Sequence, residues 1–271
     1  MSMDRMPEGV ELVRAGNAGP MTLTGTNTYL VDSTRAGVWV IDPGPSDPEH
    51  VAQVGDAVEA RGGLAGIALT HRHFDHADAV SLLQERFSTE VVAGRPGPSR
   101  SAFSEPEASG LVIDRELDDG DSVGPFRVIS TPGHSADHVS YLAGDVLFCG
   151  DTVLGQGSVF IPPGGGSMKS YLESLRRLRE LDLAALCPGH GPVVWDPRRK
   201  LDEYIAHRLD RERRLLEALA GGMRTRDELL DTVWDDAPAA LRPAAALTLE
   251  AHLDKLEQEG RLPEGVERLP T

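Results

Sequence analysis

The densest chemistry in this chain lies in seven consecutive residues, Thr70-His71-Arg72-His73-Phe74-Asp75-His76. Neutral imidazole nitrogen and carboxylate oxygen are the donors that zinc and similar divalent ions accept. The segment directly follows the aliphatic run Ile67-Ala68-Leu69, so it sits where a strand gives way to a helix. From such a loop, His71 and His73 project one way while Asp75 and His76 turn toward a neighbouring position. An ordinary surface or core histidine stands alone; three with an aspartate in this spacing point to a metal site.

Two ions need more ligands than one loop offers, and the chain supplies them in similar contexts. Val128-Ile129-Ser130-Thr131-Pro132-Gly133-His134, Leu147-Phe148-Cys149-Gly150-Asp151 and Leu186-Cys187-Pro188-Gly189-His190 each end an apolar run with a donor. The carboxyl ends of strands are where open α/β sheets collect ligand sites. Each segment is weak evidence alone, and their recurrence carries the reading. Cys149 and Cys187 also end apolar runs, which favours buried structural thiols over ligands.

The elements that must position these donors are legible as alternating strand and helix signals from about residue 10 to 195. Strands are expected at 28–31, 38–41, 67–69, 91–93, 128–129, 139–142, 146–149 and 183–186. Helices are expected at roughly 47–61, 76–87 and 168–181, the last capped by Ser167. The Pro-, Ser- and Gly-containing stretch 95–126 reads as loops. After Pro197 the pattern turns helical, with an apolar stripe over 200–219. Thr225-Arg226-Asp227-Glu228 is a capping-box signal opening a second helix, and 243–258 reads as a third. With a hairpin in the tail RLPEGVERLP, this predicts a winged-helix module.

The 271 residues suffice for one α/β core and a small appended module. No apolar run approaches the ~20 residues needed to cross a bilayer. The N-terminus MSMDRMPEGVELVRAG has no signal-peptide core, so a cytoplasmic protein without membrane partners is expected. The two cysteines fit a reducing compartment. A net charge of −16 works against duplex nucleic acid, whose binding rests on cationic side chains. Residues 200–271 hold 11 Lys and Arg against 16 Asp and Glu, so the module itself predicts no duplex DNA partner.

These motifs resemble the metallo-β-lactamase superfamily. The THxHxDH loop, the TPGH, GD and PGHG segments, and Ile41-Asp42-Pro43-Gly44 match its ordered metal motifs over about residues 10–195. The resemblance implies an αββα sandwich with metals at one edge. It implies His71, His73 and His134 on a first metal, and Asp75, His76 and His190 on a second. Asp151 would bridge both, and Asp42 would support the ligands from behind. GPMTLTGTNTY at 19–29, GHSADH at 133–138 and Tyr204-Ile205-Ala206-His207-Arg208 resemble the lactamase-β-like-2 group. That group carries a C-terminal winged-helix-like domain, which places a catalytic domain at 1–197 and the module at 198–271. The sequence departs from the family at Ala77-Asp78-Ala79, where a small residue and glycines are usual.

The expected function is hydrolysis by water activated between two divalent ions, with Asp75 orienting that water or carrying a proton. Zinc is expected, and iron and manganese also suit these donors. A small ester, thioester or lactone-like substrate is the leading expectation. The rival is endonucleolytic cleavage of single-stranded RNA, against which stand the acidic charge and the lack of a basic stripe. A DNA-binding regulator and an oxidative iron enzyme are further alternatives. The seven-donor set favours two ions, and the subgroup resemblance favours hydrolysis.

Overall fold

The computed structural model describes residues 5–33, 36–97, 108 and 110–269. Its strands sort into two sheets. The first holds β1 (Val10–Arg14), β2 (Asn27–Asp32), β3 (Val38–Ile41), β4 (Leu64–Leu69), β5 (Val91–Gly94) and β6 (Arg115–Leu117), neighbours in that order. β1 to β3 are antiparallel and β3 to β6 parallel. The second holds β7 (Ser122–Val123), β8 (Phe126–Ser130), β9 (Val139–Ala143), β10 (Val146–Gly150) and β11 (Ala185–Pro188), parallel only between β10 and β11.

Side-chain alternation produces the layers. Tyr29, Trp39, Ile41 and Ala68 face the second sheet and meet Phe126, Val128, Tyr141 and Phe148. Their chain neighbours Leu30, Val40, Ile67 and Leu69 face outward onto Val54 and Val58 of α1 (Pro48–Ala60). Behind the donor loop, α2 (Phe74–Ala77) and α3 (Val80–Arg86) complete that layer through Ala77, Val80 and Leu83. The outer face of the second sheet, with Ile129, Leu147 and Leu186, is covered by Leu172 and Leu175 of α4 (Met168–Arg179). The result is an αββα sandwich with both faces of each sheet buried, which is why its strands read as near-continuous apolar runs.

Helix α5 (Pro197–Ala220) belongs to two cores. Leu201 and Tyr204 pack on the sandwich, whereas Leu215 and Leu219 pack on α6 (Arg226–Val233) and α7 (Arg242–Gln258). The Thr225 capping box forms as its sequence predicts, with Thr225 and Glu228 each accepting the other's backbone N–H. Ser167 caps α4 by accepting from Ser170 N at 3.2 Å.

Four local expectations need correction. The stretch 95–126 contains β6 and β7, strands of three and two residues whose brevity leaves no periodic signal. The single helix expected at 76–87 is two, separated by Asp78 and Ala79. The last strand lies two residues later than its apolar run because Cys187 and Pro188 pair with Phe148 and Gly150. The tail forms no strand among the described residues 261–269; it turns at Gly265 and is tied down by Glu267 N donating to Arg224 O at 2.8 Å.

Gly133 precedes His134 with φ +151°, and a Cβ there would lie 2.4 Å from Tyr171 Cα, a backbone atom of α4. Gly133→Ala is therefore expected to lose at least about 2 kcal/mol through overpacking and strain. A thermal melt should show a clear fall in Tm, and an unchanged Tm would refute this close packing.

Candidate metal centre

The donors all emerge where strands end, on one edge of the sandwich. Asp42 follows β3, and Thr70 to His76 follow the adjacent β4. The Asp42 carboxylate ties the two together, accepting from Thr70 N and Thr70 Oγ1 at 2.7 Å each. It also meets His76 Nδ1 at 3.0 Å. Asp42 itself takes a left-handed φ of +50°. Hydrogen bonds from Asp42 N to Ala68 O and from the Thr28 hydroxyl to Asp42 O hold that strained residue in place.

Across the edge, His134 follows β8, Asp151 follows β10 and His190 follows β11. His134 Nδ1 lies 3.0 Å from the Phe160 carbonyl, so it carries the proton and turns an unprotonated Nε2 toward the centre. The β11 end is anchored from β2: Asn27 Nδ2 and Tyr29 Oη donate to Pro188 O, and Asn27 Nδ2 also reaches Gly191 O.

All seven expected ligands come together. His71, His73 and His134 form one group whose ligand atoms lie within 4.8 Å of one another, and Asp75, His76 and His190 form a second. A third such group, His71, His76 and Asp151, spans the other two. Asp151 Oδ2 is 3.4 Å from His190 Nε2 and 3.8 Å from His134 Nε2, placing its carboxylate between the sets. His71 Nε2, His76 Nε2 and Asp151 Oδ1 are buried with no hydrogen-bond partner in the protein. An orphaned buried polar atom costs roughly 1–3 kcal/mol, so three at one spot fit a site that ions complete. Five imidazoles and two carboxylates are the nitrogen and oxygen set that borderline divalent ions accept.

The electrostatics point the same way. Burial, reinforced by the surrounding imidazoles, pushes His71 well below the usual histidine range and keeps it a neutral donor. Burial pushes the Asp75 carboxyl up, but the imidazoles of His76 and His190 outweigh this and hold it at about 2. Burial pulls His76 down, yet Asp75, Asp151 and Asp42 raise it to about 9.

Sequence reasoning assigned no role to His138, which is a positioning residue here. It is buried, stacks on His71 at 5.1 Å, and accepts the Asp151 backbone N–H on Nε2 at 3.1 Å. Its Nδ1 then donates to Thr131 Oγ1 at 2.9 Å. The GHSADH segment contained the signal, but spacing alone does not separate a ligand from its support. Cys149 and Cys187 lie in the two cores flanking β10 and β11 and in none of the candidate donor groups among the described residues. Ala77 and Ala79 are buried, with Ala79 N donating to Gly44 O at 3.0 Å, whereas Asp78 between them is half-buried.

Residues 21–190 match the metallo-beta-lactamase superfamily model, and residues 225–264 match the beta-lactamase associated winged helix domain. The chain belongs to the metallo-beta-lactamase superfamily. It is a metal-dependent hydrolase of that superfamily. It is 32% identical over 276 residues to a beta-lactamase-like protein 2 homolog of Drosophila melanogaster, covering 96% of this chain and 92% of that one. It is likewise 32% identical over 257 residues to an atrochrysone carboxyl ACP thioesterase of Aspergillus fumigatus, covering 88% and 77%. Among solved structures, a metallo-beta-lactamase family protein from Thermus thermophilus shares the fold at TM-score 0.74 and 24% identity, covering 93% and 94%. TTHA1623 in a di-iron-bound form matches at TM-score 0.54 and 30% identity, covering 67% of this chain and 94% of that one.

Two outcomes are expected of this centre. Asp42→Ala frees Thr70 and His76 together and should weaken metal affinity roughly 10–100-fold, read by competition with a chromophoric chelator. An unchanged affinity would remove Asp42 from the support. Neighbouring carboxylates raise both His76, to about 9, and His190 above the ordinary histidine range in the metal-free protein, so ion uptake at pH 7 should expel protons and affinity should rise with pH. The binding heat should therefore vary with the ionisation enthalpy of the buffer, and heats identical in all buffers would contradict it.

Proposed function

We propose that this enzyme hydrolyses a small acyl thioester or ester, using two zinc ions held by the seven residues above. His71, His73 and His134 would hold one ion and Asp75, His76 and His190 the other, with Asp151 between them. Such a pair supplies a nucleophile at neutral pH and Lewis acidity toward the substrate carbonyl. The donor set also admits iron or manganese, and elemental analysis of purified protein decides between them.

The observation that carries this reading is a cleft of about 210 Å³ that begins at Asp75, Asp151 and His190. From there it runs between Leu23, Leu154, Val159 and Phe160 of the sandwich and Trp234, Leu241 and Ala245 of the C-terminal helices. The apolar part of this wall suits an acyl chain. Helix α7 buries Leu249, Leu253 and Leu256 in the C-terminal core and Ala251 in the core shared with α4, which does not suit insertion into a DNA groove. The resemblance to a named thioesterase supports the same substrate class.

The reaction adds water to the acyl carbonyl and breaks the carbon–sulfur or carbon–oxygen bond, releasing an acid and a thiol or alcohol. Asp75 is the residue placed to handle the proton. Its Oδ2 lies 3.3 Å from His190 Nε2 and 3.5 Å from Thr26 Oγ1, and the residue lines the cleft. Asp75→Asn, loaded with metal, should lower kcat on acyl N-acetylcysteamine thioesters by about 10²–10⁴-fold while leaving the fold intact. Near-normal turnover would remove that role. Cleavage of single-stranded RNA by the wild type alone, with thioesters and esters inert, would overturn the small-substrate reading.

A further inference from the structure

Arg208 on α5 lines the same cleft, and its charge is not balanced. The residue is only 2% exposed, and its Nε is buried without a hydrogen-bond partner. The guanidinium donates through Nη2 to the Val159 carbonyl and lies 5.3 Å from the Tyr171 ring centre. Neither neighbour carries a negative charge, and among the described residues no carboxylate forms an ion pair with Arg208.

The surrounding cations are treated differently. Arg211 is clamped by both carboxylate oxygens of Asp236 at 2.6 and 2.8 Å. Lys255 is paired with Glu212 at 2.7 Å and Glu259 at 2.8 Å. His252 is fully buried nearby with both ring nitrogens unpartnered, so it brings no anion either. In a chain of net charge −16, one buried guanidinium left without a counterion beside the candidate active site is a costly arrangement.

We propose that Arg208 recognises a carboxylate carried by the acyl part of the substrate, so that the cleft selects acyl groups with an acid function of their own. This rests on the acyl-substrate reading above. One unpaired guanidinium balances one carboxylate, and its planar fork matches that group. A phosphate monoester at neutral pH brings up to two charges, for which the paired Arg211 has no spare capacity, and the singly charged phosphodiester is the competitor that the test includes. Leu154, Val159 and Trp234 line the cleft as well, which suits an aliphatic or aromatic spacer between the two ends.

Calorimetric titration of metal-loaded protein tests this. The probes are α,ω-dicarboxylates from glutarate to suberate and the monocarboxylates of equal chain length. Both series can place one carboxylate at the metal centre, so the second carboxylate isolates Arg208. One dicarboxylate should bind about 10–100-fold more tightly than its monocarboxylate counterpart. That ratio should fall to near one in Arg208→Met and to an intermediate value in Arg208→Lys, which keeps the charge without the fork. Removing an uncompensated buried charge is expected to leave Tm unchanged or raised, and Arg208→Lys carries the test if Arg208→Met does not fold.

A ratio near one in the wild type, or one unchanged in both variants, overturns the proposal. So does a short oligouridylate that outcompetes every dicarboxylate in an Arg208-dependent way, since Arg208 would then serve a phosphate. An Arg208-dependent ratio without turnover of any thioester or ester supports the anion site and refutes the acyl-substrate reading. Turnover without such a ratio does the reverse.

Discussion

The site depends on the Asp42 carboxylate. Its two oxygens hold the Thr70 backbone, the Thr70 hydroxyl and the His76 ring, so one side chain fixes the loop after β4 to the end of β3. His71 and His73 directly follow Thr70, and Asp75 precedes His76, so the whole donor loop inherits its position from that clamp. The clamp holds a non-glycine residue in left-handed backbone, and Gly44 N bonding to His76 O extends the same lock. Burying an ionised carboxylate is tolerable only when its lone pairs are filled, and here three donors fill them.

The second sheet supplies its half by a different device. His134, Asp151 and His190 follow three strands of one sheet and are aimed by neighbours rather than by a shared loop. Phe160 O sets the tautomer of His134, His138 sets the backbone of Asp151, and Asn27 and Tyr29 anchor the turn leading to His190. Asn27 and Tyr29 belong to the first sheet, so the centre forms only when the two sheets pack together. The cleft goes one step further, because α5 joins the sandwich core to the core containing Trp234 and places Arg208 between them. The winged-helix module is thereby part of the pocket wall.

Much of this was legible in the sequence because its strongest signals are local. Apolar runs ending in His or Asp mark both the strand and the donor, and all seven donors fall in one cluster. The Thr225 capping box and the Ser167 cap were readable because each needs only four residues of context. β6 and β7 were not, since three- and two-residue strands are too short to carry a period. The tail hairpin failed because a turn at Gly265 does not by itself supply pairing strands. His138 and Arg208 were visible only inside motif matches. A supporting imidazole looks like a ligand until its hydrogen bonds are known, and an uncompensated arginine is invisible until every nearby carboxylate has been assigned a partner.

The central claim is that these seven side chains hold two ions side by side. Anomalous diffraction from crystals of zinc-loaded protein tests it directly. Two peaks about 3.5–4 Å apart are expected, one among His71, His73 and His134 and the other among Asp75, His76 and His190, with Asp151 reaching both. A single peak, or peaks that leave either histidine group empty at saturating zinc, would contradict the account.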